Sequence, residues 1–385
     1  MNINEKRIKR QTIRSTLIMT GLGGVVGLIL SVWIVRKCPA EYSTLQRNLW
    51  LIGTLLFFYG TYIVQLVIHE AGHLLFGLLA GYRFGSFRVF NLTLIKEKGK
   101  LRFKRYSVAG TAGQCLMRSP EKPVGKGGVI LYNLGGVLLN LFTSFPLFIL
   151  FIFAVAWDVP FVLATVPLVA VLAGWLAAMI NGLPIRSQMV DNDGYNVWAA
   201  TRNKDTLRAF DLQLKITERL LEGQRLKDMP DEWFVLPEDE AMKNSMRAAE
   251  GVYIANRLMD EHRFEEAENL MAHLLQIESG IVGLHRSMLG FDRLYVELIG
   301  ENRQEVISSL YTKELQKTAL MMKSTLTVSR TLYAYALIVK NDTAEAKKWK
   351  ALFEKTAATY PYKNEVTAER ELLALAQKRV EEHNF

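Results

Sequence analysis

Residues 69–73 read His-Glu-Ala-Gly-His, an H-E-x-x-H motif. On a helix, positions four apart share a face, so His69 and His73 can hold one Zn²⁺ while Glu70 stands beside the metal's water as a general base. A catalytic zinc site takes a third protein ligand and keeps one position open. No other histidine occurs in the first 198 residues, the remaining four being His262, His273, His285 and His383. The third ligand is therefore sought among the acidic residues of that part: Glu5, Glu41, Glu97, Glu121, Asp158, Asp191 and Asp193.

The elements that must bring these groups together are membrane helices. Four stretches lack charge for about the 20 residues that a helix needs to cross a hydrocarbon core: 15–35, 48–68 running on through the motif to Tyr82, 127–157 and 159–185. The first follows Lys6, Arg7, Lys9, Arg10 and Arg14, but it is too long for a signal peptide and no small-x-small cleavage site follows, so it reads as a retained anchor. The second is either one long tilted helix or a helix that ends at membrane depth. Ionisable groups inside such a segment are costly, and a bound metal would compensate three of them in five residues.

Basic residues orient the bundle. The N-terminal tail carries five, the 36–47 loop three, the 83–126 loop eleven and the 158–160 loop none. By the positive-inside rule both termini and the large loop are cytosolic. The motif then lies toward the cytosolic half of an inward-running helix, and the fourth helix delivers Asp191 and Asp193 to that level. Topology selects one of those two. In the basic loop, Phe87 and Val89 alternate with polar neighbours, as do Leu101 and Phe103, around Lys98-Gly99, which predicts a small cytosolic β-hairpin.

Composition agrees with a two-part chain. Half of the 385 residues are hydrophobic and 22% are charged. Residues 1–198 carry net +12 and the rest net −3. The positive excess thus travels with the apolar runs, which argues for a membrane protein and against nucleic acid as a partner. Two distant cysteines, Cys38 and Cys115, exclude a disulfide scaffold and a thiolate metal cluster. Gly23 and Gly27 predict close helix packing within the bundle. Asn133 and Asn140, seven apart, share a face of the third helix. Past Trp198 the pattern is amphipathic and helical: a helix at about 203–223, a linker at 228–240 bracketed by Pro230 and Pro237, then helical hairpins. Ala255, Leu258, Phe264, Ala267 and Met271 fall at tetratricopeptide-like positions, although no strict 34-residue period runs through the segment.

These residues resemble the site-2 protease family of intramembrane zinc metalloproteases. The resemblance rests on 69–73, on Asn181-Gly182-Leu183-Pro184 followed by Asp193-Gly194, and on Gly135-Gly136-Val137-Leu138-Leu139-Asn140, and it covers roughly residues 48–198. It implies that Asp193 is the third ligand beside His69 and His73, that Glu70 is the catalytic base and that Asn140 lines the site or handles substrate. It also implies that a β-structured loop guides the substrate. The interval from Pro184 to Asp193 is longer than the family's usual spacing, Asp191 competes for the metal, no hydrophobic helix follows Asp193, and no PDZ-like insertion is recognisable.

The expected architecture is mainly α: residues 1–47 form a basic tail and anchor, 48–198 a membrane metalloprotease core of a bundle with about four spans, 199–240 a helical linker and 241–385 a soluble all-α helical-hairpin domain. The expected function is zinc-dependent cleavage of a membrane protein or peptide near the cytosolic side, in a multi-pass protein of a bacterial cell membrane. The expected partners are that substrate, membrane lipids and a cytosolic protein or peptide held by the helical domain. A second reading is a catalytically inactive, membrane-tethered metal-binding protein whose helical domain binds the cytosolic partner.

Overall fold

The computed structural model describes residues 3–383 apart from 98–99, 109, 123 and 188. Among the described residues are fourteen α-helices and a small antiparallel sheet of four strands. Two compact units divide the chain. One comprises Met1–Val89, Ala112–Ser187 and Asp191–Thr201, the other Phe90–Thr111, Gln188–Val190 and Arg202–Phe385.

The first unit contains α1 (Ile3–Lys37), α2 (Thr44–Leu79), α3 (Lys126–Ala156), α4 (Phe161–Gly182) and the short α5 (Asp193–Ala200). The four long helices have the length and apolar composition to cross a membrane. Large apolar side chains such as Leu28, Leu56, Phe142 and Leu163 face outward from them. A helix apolar all round either lies in a core or faces lipid. Buried residues make up 61% of α4's most apolar window and 11% of those of α1 and α2, so α4 is the central helix of this bundle. Pro146 and Pro167 sit inside α3 and α4, a placement that membrane-spanning helices tolerate better than others.

Ser43 starts α2: its hydroxyl accepts from the Gln46 amide and the Gln46 side chain accepts from the Ser43 amide, a capping box that opens the helix four residues before the apolar run. The helix then runs unbroken through the motif for 36 residues, about 54 Å at 1.5 Å per residue, well beyond a ~30 Å hydrocarbon core. Of the two expected forms, the continuous helix is the one present. Gly81, at φ +95°, turns the chain out of it. Glycine also lets α2 and α3 touch: a Cβ on Gly72 would overlap the Gly135 carbonyl.

The expected packing at Gly23 and Gly27 is not found. Nothing lies within 4 Å of a Cβ built on either. The first helix packs instead through Leu30, Val26 and Trp33, whose indole N–H donates to Thr165 at 2.9 Å.

The β-structure also differs from the single hairpin expected. Phe87 and Val89 belong to β1 (Arg83–Val89), whose antiparallel partner is β4 (Gly113–Arg118), with Phe87 opposite Cys115 and Val89 opposite Gly113. The hairpin around 98–99 joins β2 (Leu92–Glu97) to β3 (Lys100–Arg105), with Leu94 opposite Phe103; the turn residues lie outside the described residues. The physical reason is a turn at Phe90, which adopts φ 54°, a conformation no side chain of its type announces.

Beyond residue 202 the second unit is all helical. Asn203 caps α6 (Lys204–Leu221), and single 3₁₀ turns follow at Leu226–Asp228 and, between Pro230 and Pro237, at Asp231–Trp233. Then come α7 (Ser245–Asp260), α8 (Phe264–Gln276), α9 (Gly283–Ile299), α10 (Gln304–Leu310), α11 (Lys313–Met321), α12 (Leu326–Ile338), α13 (Thr343–Thr359) and α14 (Lys363–His383). Three-residue turns make α7–α8 a hairpin, and Ala255, Ala267 and Met271 are wholly buried in the core that this hairpin shares with α9, α12 and α14. Leu258 and Phe264 pack against it. Small residues at 255 and 267 let the two helices approach closely.

Candidate metal centre

His69 and His73 lie one turn apart in the interior of α2, on the face turned toward α3, and are 4% and 7% exposed. Each ring is held from behind. His73 Nδ1 lies 2.9 Å from the Tyr132 carbonyl, which can only accept, so Nδ1 carries the proton. His69 Nδ1 faces Asn140 Oδ1 at 2.8 Å. The Asn140 amide donates to the Gln65 carbonyl at 2.9 Å and to Gln65 Oε1 at 2.8 Å, which orients its oxygen toward the imidazole. Both rings therefore present Nε2 lone pairs to a common point.

Asp193 comes to that point from the first turn of α5. Asn192 caps this helix, accepting from the Tyr195 amide at 2.9 Å, and its own amide donates to the Ile180 and Leu183 carbonyls at 2.6 Å each. A Cβ on Gly194 would overlap the Gly182 carbonyl, so only glycine lets α5 start against the end of α4. Asp193 Oδ2 is 2.9 Å from His69 Nε2 and 3.3 Å from His73 Nε2, and the two Nε2 atoms are 3.1 Å apart.

Of the two aspartates that topology left open, the structure brings Asp193 to the histidines. Asp191 instead pairs with the Arg186 guanidinium at 2.8 Å, across a bridge that closes the loop before α5.

The two Nε2 atoms and Asp193 Oδ2, facing one another at about 3 Å, repel unless a proton or a metal ion lies among them. Donors roughly 2.0–2.1 Å from one tetrahedral ion lie about 3.3 Å apart, close to the separations seen here. The ligand atoms of His69, His73 and Asp193 all lie within 4.8 Å of one another, a set that could hold a metal ion. Nitrogen and oxygen donors whose far sides are hydrogen-bonded are the usual composition of such sites.

Glu70 is 5% exposed, and its Oε2 has no hydrogen-bond partner among the described residues. A Cβ on Gly113, at the start of β4, would overlap Glu70 Oε1, so the strand passes directly over this carboxylate. On α3, a Cβ on Gly136 would stand 2.5 Å from His69 Cε1. The glycines of the 135–140 segment thus make room for an imidazole. Asn133 merely bonds its own helix, through the Val129 carbonyl at 2.9 Å.

Several participants carried little or no mark in the sequence. Gln65, one turn before His69, could have been found by the four-residue spacing, and Asn192 by its place before a helix start. The Tyr132 carbonyl and Gly113 have no such signal. In comparisons with family models, with curated proteins and with solved structures, nothing matches this chain.

Proposed function

We propose that the chain is an intramembrane zinc endopeptidase of the site-2 protease type, cutting a membrane protein or peptide near the cytosolic side. One observation carries this reading: His69, His73 and Asp193 converge inside a bundle apolar enough to cross a membrane, with the buried, under-partnered Glu70 carboxylate beside them. Two imidazoles and one carboxylate suit zinc, and three protein ligands leave a position open, as in catalytic sites. Zinc, when bound, supplies Lewis acidity that brings the pKa of water toward about 7.

The residues then divide the work. Glu70 takes the proton of the attacking water and passes it to the departing amine. Asn140, whose amide is fully engaged by His69 and Gln65, acts in this reading as a positioning residue rather than on the substrate. A helical substrate shields its own peptide bonds, so it must unwind and find new hydrogen-bond partners. The edge strand β4, which starts over Glu70, offers them by strand addition. Both termini face the cytosol in this arrangement, and the basic β2–β3 hairpin lies near anionic headgroups. The C-terminal hairpins are read as tetratricopeptide-like, a scaffold for a cytosolic protein or peptide.

Metal content and cleavage test the proposal together. In detergent-purified protein we expect about one zinc per chain, retained in Asp191→Ala and lost in Asp193→Ala. Glu70→Gln should keep zinc and lose cleavage of membrane substrates by about 10²-fold or more. A chain that holds no zinc in non-chelating buffer, or a Glu70→Gln variant that still cleaves, would refute it.

A further inference from the structure

The second unit contains an open-sided cavity of about 240 Å³, walled by α7, α9, α12 and α14. Four carboxylates line it, Asp260, Asp292, Glu365 and Glu369, against two guanidiniums, Arg225 and Arg330. His285 adds no positive charge, since burial pushes it down to about 4. With Glu365 raised by burial to about 7 and so only partly ionised, the wall keeps between one and two net negative charges at neutral pH and favours a cation.

Its hydrogen bonding is incomplete at one place. Arg225 is engaged on both sides, by Asp260 and by Glu371. Arg330 is 0% exposed and lies over the Tyr295 ring, 4.2 Å from its centroid. One of its terminal nitrogens donates to Asp292. The other, Nη1, has no acceptor. Glu369 Oε1 accepts from Thr327 at 2.6 Å, whereas Oε2, 3.3 Å from Arg330 Nε, receives no hydrogen bond. Arg330 and Glu369 thus form a buried ion pair at 3.3 Å in which Nε, Nη1 and Oε2 make no hydrogen bond, a costly state that a ligand with complementary groups relieves.

That ligand must offer an acceptor and a positively charged donor a few bonds apart. A lysine or arginine side chain or a polyamine brings donors alone. Phosphates and carboxylates bring acceptors alone and meet the wrong charge. The first residue of a peptide carries both, an ammonium and the neighbouring carbonyl. We propose that this cavity binds the free N-terminus of a peptide, its ammonium on Glu369 and its first carbonyl on Arg330. Asn256 and Asn364, on the same wall, are suited to pair with the next amide, since each side chain both donates and accepts. The volume is below the roughly 300–1,000 Å³ of drug-sized pockets, which matches one or two residues with the remainder of the peptide outside. The proposal does not depend on the metal centre being catalytic.

The test is equilibrium ultrafiltration of the full-length chain in detergent with a random-sequence library of short peptide amides, compared with the same library Nα-acetylated. Retained peptides are counted by mass spectrometry. The free library should be held about ten-fold or more over the acetylated one, and Glu369→Gln and Arg330→Lys should each remove most of that difference. Equal retention of both libraries, or of neither, would assign the cavity to water and overturn the proposal. So would spermidine held as well as the peptides. Because a change in this wall can unfold the unit, the wild-type comparison decides by itself.

Discussion

At the scale of the residue, the chemistry rests on which atom each group turns inward. Protons on both Nδ1 atoms leave both Nε2 atoms free, and the partners that enforce this are one backbone carbonyl and one amide. Asn140→Leu removes the amide without touching a ligand, so metal affinity should fall about 10–100-fold while His73 keeps its tautomer. Competition with a zinc chelator measures it, and unchanged affinity would show that the His69 ring needs no support. A second expectation concerns Glu365, raised by burial to about 7 and hydrogen-bonded by the Tyr360 hydroxyl at 3.0 Å. Its folded pKa lies above the ordinary 4.5, so its contribution is complete below about pH 4.5 and is lost as pH rises through about 7. Thermal denaturation from pH 5 to 8 should show the helical unit losing about 2 kcal/mol, and Glu365→Gln should flatten that slope.

At the scale of the element, backbone proximity does the positioning. Gly136 on α3 gives the His69 ring its space, and Gly113 on β4 lies against Glu70. The two glycines separate binding from catalysis. Gly136→Ala should displace the imidazole and empty the metal site, whereas Gly113→Ala should keep the metal and lower turnover by about ten-fold or more by moving the carboxylate. Zinc content beside cleavage rate distinguishes them, and equal effects of the two on metal content would sink the assignment of Gly113 to Glu70. Val89→Pro, opposite Gly113 in the β1–β4 ladder, should resemble Gly113→Ala.

For the whole molecule, the two units differ in what their surfaces require. The first turns large apolar side chains outward along four helices, and the second buries its apolar residues in a helical core. In the proposed orientation the α1–α2 and α3–α4 connections face outward. A chain with Cys38 and Cys115 replaced by alanine should therefore react with an impermeant thiol reagent in intact cells when cysteine is placed at Glu41 or Asp158, and not when it is placed at Lys122. Labelling at Lys122 alone would invert the topology.

Four apolar helices, the two histidines one turn apart and the helical character of the C-terminal part were all legible in the sequence. Each depends on periodicity or run length within a single segment, and hydrophobic burial reads such patterns locally. Between Asp191 and Asp193 the residues themselves offered no decision. They stand two positions apart, and only the Asn192 cap, the Arg186 pairing and the glycine contact at 194 determine which carboxylate reaches α2. The strand pairing escaped for a related reason: a left-handed Phe90 carries no residue-type signal, and β4 becomes a strand by pairing with β1. Gln65, Tyr132 and Gly113 matter through atoms that meet across 20 or more positions of chain. Such meetings are a property of the packed bundle, because long-range contacts are set by how helices and strands fit together and not by any one stretch of residues.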